Sequence, residues 1–339
     1  GRGGQEGLDA VNARKKVKGE VLPAATGGPL DLHGIRLVGA DLSGLDLSGA
    51  DLSDAQLLQC RLTGTRLVGA KLCNALLHDV DLTDAELLGA DVSEADMTNS
   101  TLDRAGFGQV TAVSAVFFGI TANAATFTGA NLTDADFRVA NLDSSRMLTA
   151  TVVGADFSSA NLNAADLTGC ELGGATFREA DLRQSRLKNV TGYSTAVWIG
   201  ADIQNVDFTG AWLLRRHIQD VNYLHEFRSQ SPTHERLYQV WKLTSDCGRS
   251  LLRWTLWTAL IAALYAVAYT QVAIDWGDHP TPLSPIYYSV VTFTTLGYGD
   301  VLPGSTAAQL LAMSEVVLGY LSLGGMMSIL SDKMARRAG

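Results

Sequence analysis

The stretch of this sequence whose residue types could do chemistry is Thr294-Thr295-Leu296-Gly297-Tyr298-Gly299-Asp300. Glycine at 297 and 299 permits backbone dihedrals with φ > 0, which side chains disfavour. A chain that uses them can turn successive peptide carbonyls toward one axis. Stacked carbonyl oxygens of this kind can replace the water around a dehydrated cation, and the Thr295 hydroxyl offers a further oxygen at the inner end. Tyr298 is placed to point away from that axis and brace the strand.

Such a loop has to be held at its position by the elements around it. Leu251 to Ile274 is apolar apart from Arg253 and scattered Thr, Tyr and Gln, and Ser305 to Leu330 is a second apolar stretch. Each is long enough to span a bilayer. No Lys or Arg occurs from Trp254 to Asp332. Between the two stretches, Ser284 to Phe293 reads as a short apolar helix running into the glycine loop. It is too short to cross a membrane and suits a re-entrant position, since irregular backbone at membrane depth must be buried in protein or line a watery cavity.

The order span, half-helix, TLGYG loop, span resembles the two-transmembrane pore module of bacterial-type potassium channels, over roughly residues 250 to 335. The resemblance implies an all-α homotetrameric pore whose selectivity filter is Thr295, Leu296, Gly297, Tyr298 and Gly299, with K+ at Thr295, Leu296, Gly297 and Tyr298 and no organic cofactor. One chain then supplies a quarter of the filter. Thr294, Asp300, Tyr287 and Glu315 are the expected filter supports. Two positions depart from the family pattern. Leu296 replaces the usual valine or isoleucine, and Val291 stands where some relatives carry an acid that pairs with the filter aspartate. Tyr287 or Tyr288 could hold Asp300 instead.

In the second span, Gly319, Gly324 and Gly325 are candidate gating hinges. Close helix packing explains Gly319 equally well. Met326, Met327, Ile329 and Leu330 could form an apolar constriction. Glu315 is the acidic residue within a span, at a cost of about 2.5–3.5 kcal/mol, so it needs a partner or water. Bracing the filter through pore-helix hydroxyls such as Thr292 is favoured over facing the cavity. No span carries a regular arginine series, so voltage sensing is not expected.

Orientation follows from charge. Arg215, Arg216, Arg228, Arg236, Lys242, Arg249 and Arg253 precede the first span, and Lys333, Arg336 and Arg337 follow the second. The intervening loop carries Asp275, Asp278 and Asp300. The positive-inside rule places both termini in the cytoplasm of a multi-pass plasma-membrane protein, and Trp254, Trp257 and Trp276 fit interfacial aromatic belts. No secretory signal is recognisable in the N-terminal part.

From Leu30 to Asn189 the chain repeats every five residues without a slip, as in Ala50-Asp51-Leu52-Ser53-Asp54. Small residues stand at 40, 50, 55, 70 and onward, with larger apolar ones two residues later, from Leu32 to Leu187. A period of five is neither helical nor that of a strand. It keeps one orientation only if the chain turns a corner in every unit. This A(D/N)LXX pattern resembles the pentapeptide-repeat family, which implies a right-handed quadrilateral β-helix. At a strand spacing of about 4.8 Å the roughly eight coils make a rod about 38 Å long. After Asn189 the phase shifts by one, so Val190 to Ser194 holds an extra residue. Ala112 and Ala122 are undersized at the large interior position, and Phe118 is the expected gap filler.

The chain therefore divides into a flexible segment 1–29, a β-helix 30–211, a helical cap and membrane-surface linker 212–250, and a pore domain 251–335. Trp212, Leu213, Leu214, Ile218, Val221, Tyr223 and Leu224 are the expected cap of the rod. Leu237, Val240, Trp241 and Leu243, interleaved with bases, suit the inner membrane surface.

Formal net charge is −9, and it is concentrated in the repeats. An acidic rod repels nucleic acid, so lipid and three further copies of the chain are the expected partners, with an unknown cytoplasmic protein on the rod as a further one. The four cysteines show no disulfide or metal spacing, and no nucleophile has its base nearby, so no catalytic residue is expected. The leading reading is a potassium-selective channel with cytoplasmic rods as scaffold, partner-binding surface or gating domain. The alternative is a membrane-tethered interaction protein with a vestigial or non-selective cation pore.

Overall fold

Leu32 and Ile35 show what each five-residue unit does. In the computed structural model, which describes residues 30–278 and 280–338, the Ile35 N–H donates to the Leu32 carbonyl at 3.1 Å and closes a β-turn. Gly34, at the third position of that turn, has φ +63°, the left-handed value such turns require. The same place recurs as glycine, Asn or Asp in many units, and as Val139 at φ +60°. The residue after the small one explains the Asp or Asn of the pattern. The Asp41 side chain accepts the Ser43 N–H at 3.1 Å, and Asp51 accepts that of Ser53 at 3.0 Å, so corners with Asp or Asn here carry their own side-chain cap.

Four corners complete a coil. Asp31 pairs in parallel with Asp51, and Lys71 with Asp91, each partner 20 residues on. The only such pairs long enough to be strands are β1 (Arg36–Val38) and β2 (Gln56–Leu58), among the described residues. Past Thr191 the separation becomes 21, as in Thr176 with Val197 and Arg186 with Asp207. The extra residue is absorbed in the turn at 192–195. The expected flexible segment 1–29 lies outside the described residues.

Inside the coils, small and large apolar side chains form stacked columns that exclude water. Phe117, Phe137, Phe157, Phe177 and Trp198 stack on one face at centroid distances of 4.6, 4.9, 5.1 and 4.5 Å. Phe107 and Phe127 stack on the opposite face at 5.1 Å, and rings meet edge-on across the interior at 5.8–6.1 Å. This corrects the expectation for Phe118. Four large side chains per coil must share a fixed cross-section, so phenylalanines on two opposed faces leave room only for Ala112 and Ala122 on the other two. Phe118 lies on the surface, with the Arg138 guanidinium 5.6 Å above its ring. Cys60 and Cys170 occupy the small interior column; burial pushes the Cys170 thiol up to about 12.

The corner carboxylates tie solenoid stability to pH. The Ser53 hydroxyl and N–H hold Asp51 below its ordinary 3.8, the Arg183 side chain does so for Asp181, and Thr209 and Lys188 for Asp207. Groups with depressed folded values stabilise above the unfolded value, and that stability is lost as pH falls through the folded one. Thermal unfolding followed by far-ultraviolet circular dichroism should therefore hold a steady midpoint down to about pH 4 and fall below it. A midpoint flat to about pH 2 contradicts this.

The described residues form two compact units, divided between His225 and Glu226. Helix α1 (Trp212–Ser229) crosses the boundary. In the first unit, Leu214 and Ile218 are buried in the solenoid core, Gly200 donates its N–H to Asn222, and Tyr193 meets His217. Of the rest of the expected capping row, Val221 and Leu224 are half-buried, while Trp212, Leu213 and Tyr223 are exposed. One solenoid end offers too little area for more than one stripe of a helix.

The second unit holds α2 (Pro232–Ser245), α3 (Leu251–Tyr269), α4 (Ser284–Phe293) and α5 (Thr306–Ala338). Ser231 caps α2, with Pro232 in its first turn. The Arg228 side chain pairs with Glu235 at 2.8 Å and covers the Tyr238 ring, while Trp241 meets Phe227. Leu237, Val240 and Leu243 are left exposed. Helix α3 ends at Tyr269, short of the apolar stretch expected to run to Ile274. Ile274–Asp275 (β3) instead pairs antiparallel with Leu302–Pro303 (β4), because the chain must turn back to enter α4.

Candidate ion-conduction site

Helix α4 delivers the chain to the glycine loop. Its cap residue Thr294 donates its N–H to the Val290 carbonyl at 3.0 Å, and Leu296 donates to Val291 at 3.0 Å. Beyond that point Thr295, Gly297 and Gly299 have φ of +58°, +53° and +79°. In an ordinary strand successive carbonyls point to opposite sides. Placing every second residue in the left-handed region cancels that alternation and can bring consecutive oxygens to one side. A β-branched residue at positive φ is an outlier, and Thr295 begins the series. All seven residues from Thr294 to Asp300 are exposed. Tyr298 is 67% exposed, so its own chain does not brace it.

Asp300 is held from α4. The Tyr287 hydroxyl donates to its Oδ2 at 2.7 Å, while Tyr288 packs edge-on against Tyr269 at 4.7 Å. The geometry thus selects Tyr287 from the two candidates.

Glu315 is fully buried. Tyr269 of α3 donates to its Oε2 at 2.6 Å, and the Ser289 hydroxyl of α4 meets its Oε1. Ser289 also reaches the Ala262 carbonyl at 2.7 Å. The carboxyl therefore joins all three helices behind the loop and does not face open space in its own chain. Its pore-helix partner is Ser289 and not Thr292, because Ser289 lies one turn earlier on the face turned to α3.

The three glycines of α5 differ. A Cβ on Gly319 would lie 2.1 Å from the carbonyl oxygen of Phe293, the last residue of α4. A Cβ on Gly325 would lie 2.4 Å from the Trp254 ring, and one on Gly324 would meet nothing within 4 Å. Gly319 and Gly325 are thus packing notches, and α5 runs unbroken through them. Sequence reasoning placed Trp254 in an aromatic belt and missed that its indole enters one of these notches.

Helices α3 and α5 are apolar enough to cross a membrane, yet their own chain buries only 6% and 11% of these stretches. A soluble core helix would be mostly buried; here the apolar faces are left for lipid or other copies. Residues 252–336 match the family described as "Ion channel". Residues 31–67, 60–99, 123–158 and 155–191 match "Pentapeptide repeats". This chain joins a pentapeptide-repeat solenoid to an ion-channel domain.

The chain is 30% identical over 95 residues to Two-pore potassium channel 1 of Arabidopsis thaliana, covering 27% of this chain and 26% of that protein. It is 42% identical over 55 residues to Two pore potassium channel b of Oryza sativa subsp. japonica, covering 16% of each. The chain thus spans about a quarter or less of the curated relatives it matches. The repeats are similar to HetL, a pentapeptide repeat protein from Nostoc sp. strain PCC 7120, at 27% identity over 54% of this chain and 88% of that one, with a TM-score of 0.29. The ion-channel domain and its two apolar helices make this a membrane protein.

Proposed function

We propose that the chain is one quarter of a potassium-selective channel, with K+ passing as cargo along the carbonyls of Thr295, Leu296, Gly297 and Tyr298. The observation that carries the reading is the alternation of positive φ at Thr295, Gly297 and Gly299 in a loop that its own chain leaves uncovered. Four such loops around an axis complete each other's coordination and cover each other's exposed Tyr298 and Leu296. The potassium channels among the relatives support the choice of ion.

In this reading the Tyr287–Asp300 bond and the Glu315–Ser289–Tyr269 network brace the filter from behind. Both termini and the solenoid lie on the cytoplasmic side of the plasma membrane, where the solenoid serves as scaffold, partner-binding surface or gating domain. The exposed row Leu237, Val240 and Leu243 on α2, flanked by Arg236 and Lys242, lies against the inner leaflet.

The test is K+ efflux from vesicles holding the reconstituted full chain, compared with Gly299→Ala. Gly299 has φ +79° and open space around it, so the substitution acts on backbone conformation and not by a clash within one subunit. Left-handed backbone costs a non-glycine residue about 1–2 kcal/mol, multiplied over four subunits. Flux should fall at least about tenfold with the assembled protein retained. Undiminished flux would remove the filter from the mechanism, and no flux from well-folded wild type favours a membrane-tethered interaction protein.

A further inference from the structure

A tryptophan serving only as an interfacial anchor leaves its indole N–H at the headgroups. Trp254, in the first turn of α3, does not. Its Nε1–H donates to the main-chain carbonyl of Ser322 in α5 at 2.8 Å. Its ring fills the place of the side chain that Gly325 lacks: an added Cβ would stand 2.4 Å from Cζ2 and 2.8 Å from Cε2. Ser322 and Gly325 lie one helical turn apart on the same face, so one indole grips α5 by a hydrogen bond and by shape together. Ser322 is buried.

The grip is tied to α2. Ser250 donates its N–H to the Ser245 carbonyl at 2.8 Å, Gly248 donates to the Ser245 hydroxyl at 3.0 Å, and the Ser250 hydroxyl accepts the Arg253 N–H at 3.2 Å. Asp246, Cys247 and Gly248 all have positive φ, which makes the connection a compact turn. A displacement of α2 is therefore carried into the first turn of α3, where Trp254 sits.

We propose that Trp254 is a positioning residue for gating: a clasp that holds the C-terminal half of α5 straight and the pore shut, and that a displacement of α2 releases. This rests on the channel reading above. Helix α5 is unbroken from Thr306 to Ala338 with the indole seated. A bend in the glycine region that widened the path would lift Gly325 off the ring and break the bond to Ser322, so the clasp opposes opening.

Single-channel recording of the full chain in planar bilayers tests it. W254F keeps a ring but loses the donor, and open probability should rise about fivefold or more. Conductance and the reversal potential between K+ and Na+ should stay unchanged. G325A, which pushes the indole out, should raise open probability as well, and W254F with G325A should add little to the larger single effect. G324A, with open space at that position, leaves the indole seated and should not raise open probability. An open probability unchanged or lowered in W254F overturns the clasp even if the assembly becomes less stable, since a merely structural contact would move stability alone. A wild-type chain that conducts nothing overturns the channel reading, and the clasp with it.

Discussion

Gly319→Ala should abolish most K+ flux, although alanine is the better helix former by about 1 kcal/mol. The added methyl would stand 2.1 Å from the Phe293 carbonyl oxygen, 3.0 Å from its carbon and 3.3 Å from its Cα. These are backbone atoms at the end of α4, and Phe293 is itself buried, so no side chain can rotate out of the way. Helix α5 and the end of the pore helix must separate by about 1 Å, in a tightly packed region where displacements are transmitted and not absorbed. The loop that begins at Thr294 moves with them. Vesicle efflux should drop at least about tenfold, because carbonyl ligands replace water only at matched distances. Gly324→Ala in the same helix meets no neighbour and should leave single-channel conductance unchanged. If Gly319→Ala conducts K+ at the wild-type rate, with only its opening altered, then Gly319 acts as a hinge and not as a notch.

Phe127→Ala should be a strongly damaging single truncation in the solenoid. Its ring is fully buried, stacks on Phe107 at 5.1 Å, and meets Phe117 and Phe137 edge-on at 6.1 and 5.8 Å. The flanking units carry Ala122 and Leu132, and Met147 follows in the same column; each is already packed in its own layer, so the space closes only in part. Loss of about 3–5 kcal/mol follows for a phenylalanine truncated in a rigid core. Because each coil contacts only its neighbours, the loss should show first as faster amide exchange in the coils around residue 127. Phe118→Ala is the control. It removes a half-exposed ring and its contact with Arg138, which should cost less than about 1 kcal/mol. Equal destabilisation by the two would contradict the layer-by-layer volume exchange described above.

The two halves of the chain were legible in the sequence to different depths. The five-residue units turn within themselves, and those with Asp or Asn also cap their own corner, as Asp41 does for Ser43. Its pattern is therefore local, and even the inserted residue beyond Asn189 shows as a phase shift. Phe118 misled because the neighbour that fills the space above Ala112 is set by opposing faces ten residues apart, which a repeat aligned by five does not display. In the channel domain the informative contacts join residues far apart in sequence. Trp254 meets Ser322 and Gly325, Gly319 meets Phe293, and Glu315 meets both Tyr269 and Ser289. Apolar length shows that α3 and α5 exist but not which glycine receives which neighbour. That Tyr287 rather than Tyr288 reaches Asp300 depends on the roughly 100° between successive helix positions, a rotation fixed only once Tyr288 is seated against Tyr269.

The most direct measurement is the reversal potential of the reconstituted full chain with K+ on one side of a bilayer and Na+ on the other. Dehydrated K+ passing along the Thr295–Tyr298 carbonyls should give a potential displaced far toward the K+ equilibrium value. A potential near zero, with current carried equally by Na+, would contradict a carbonyl filter in this loop.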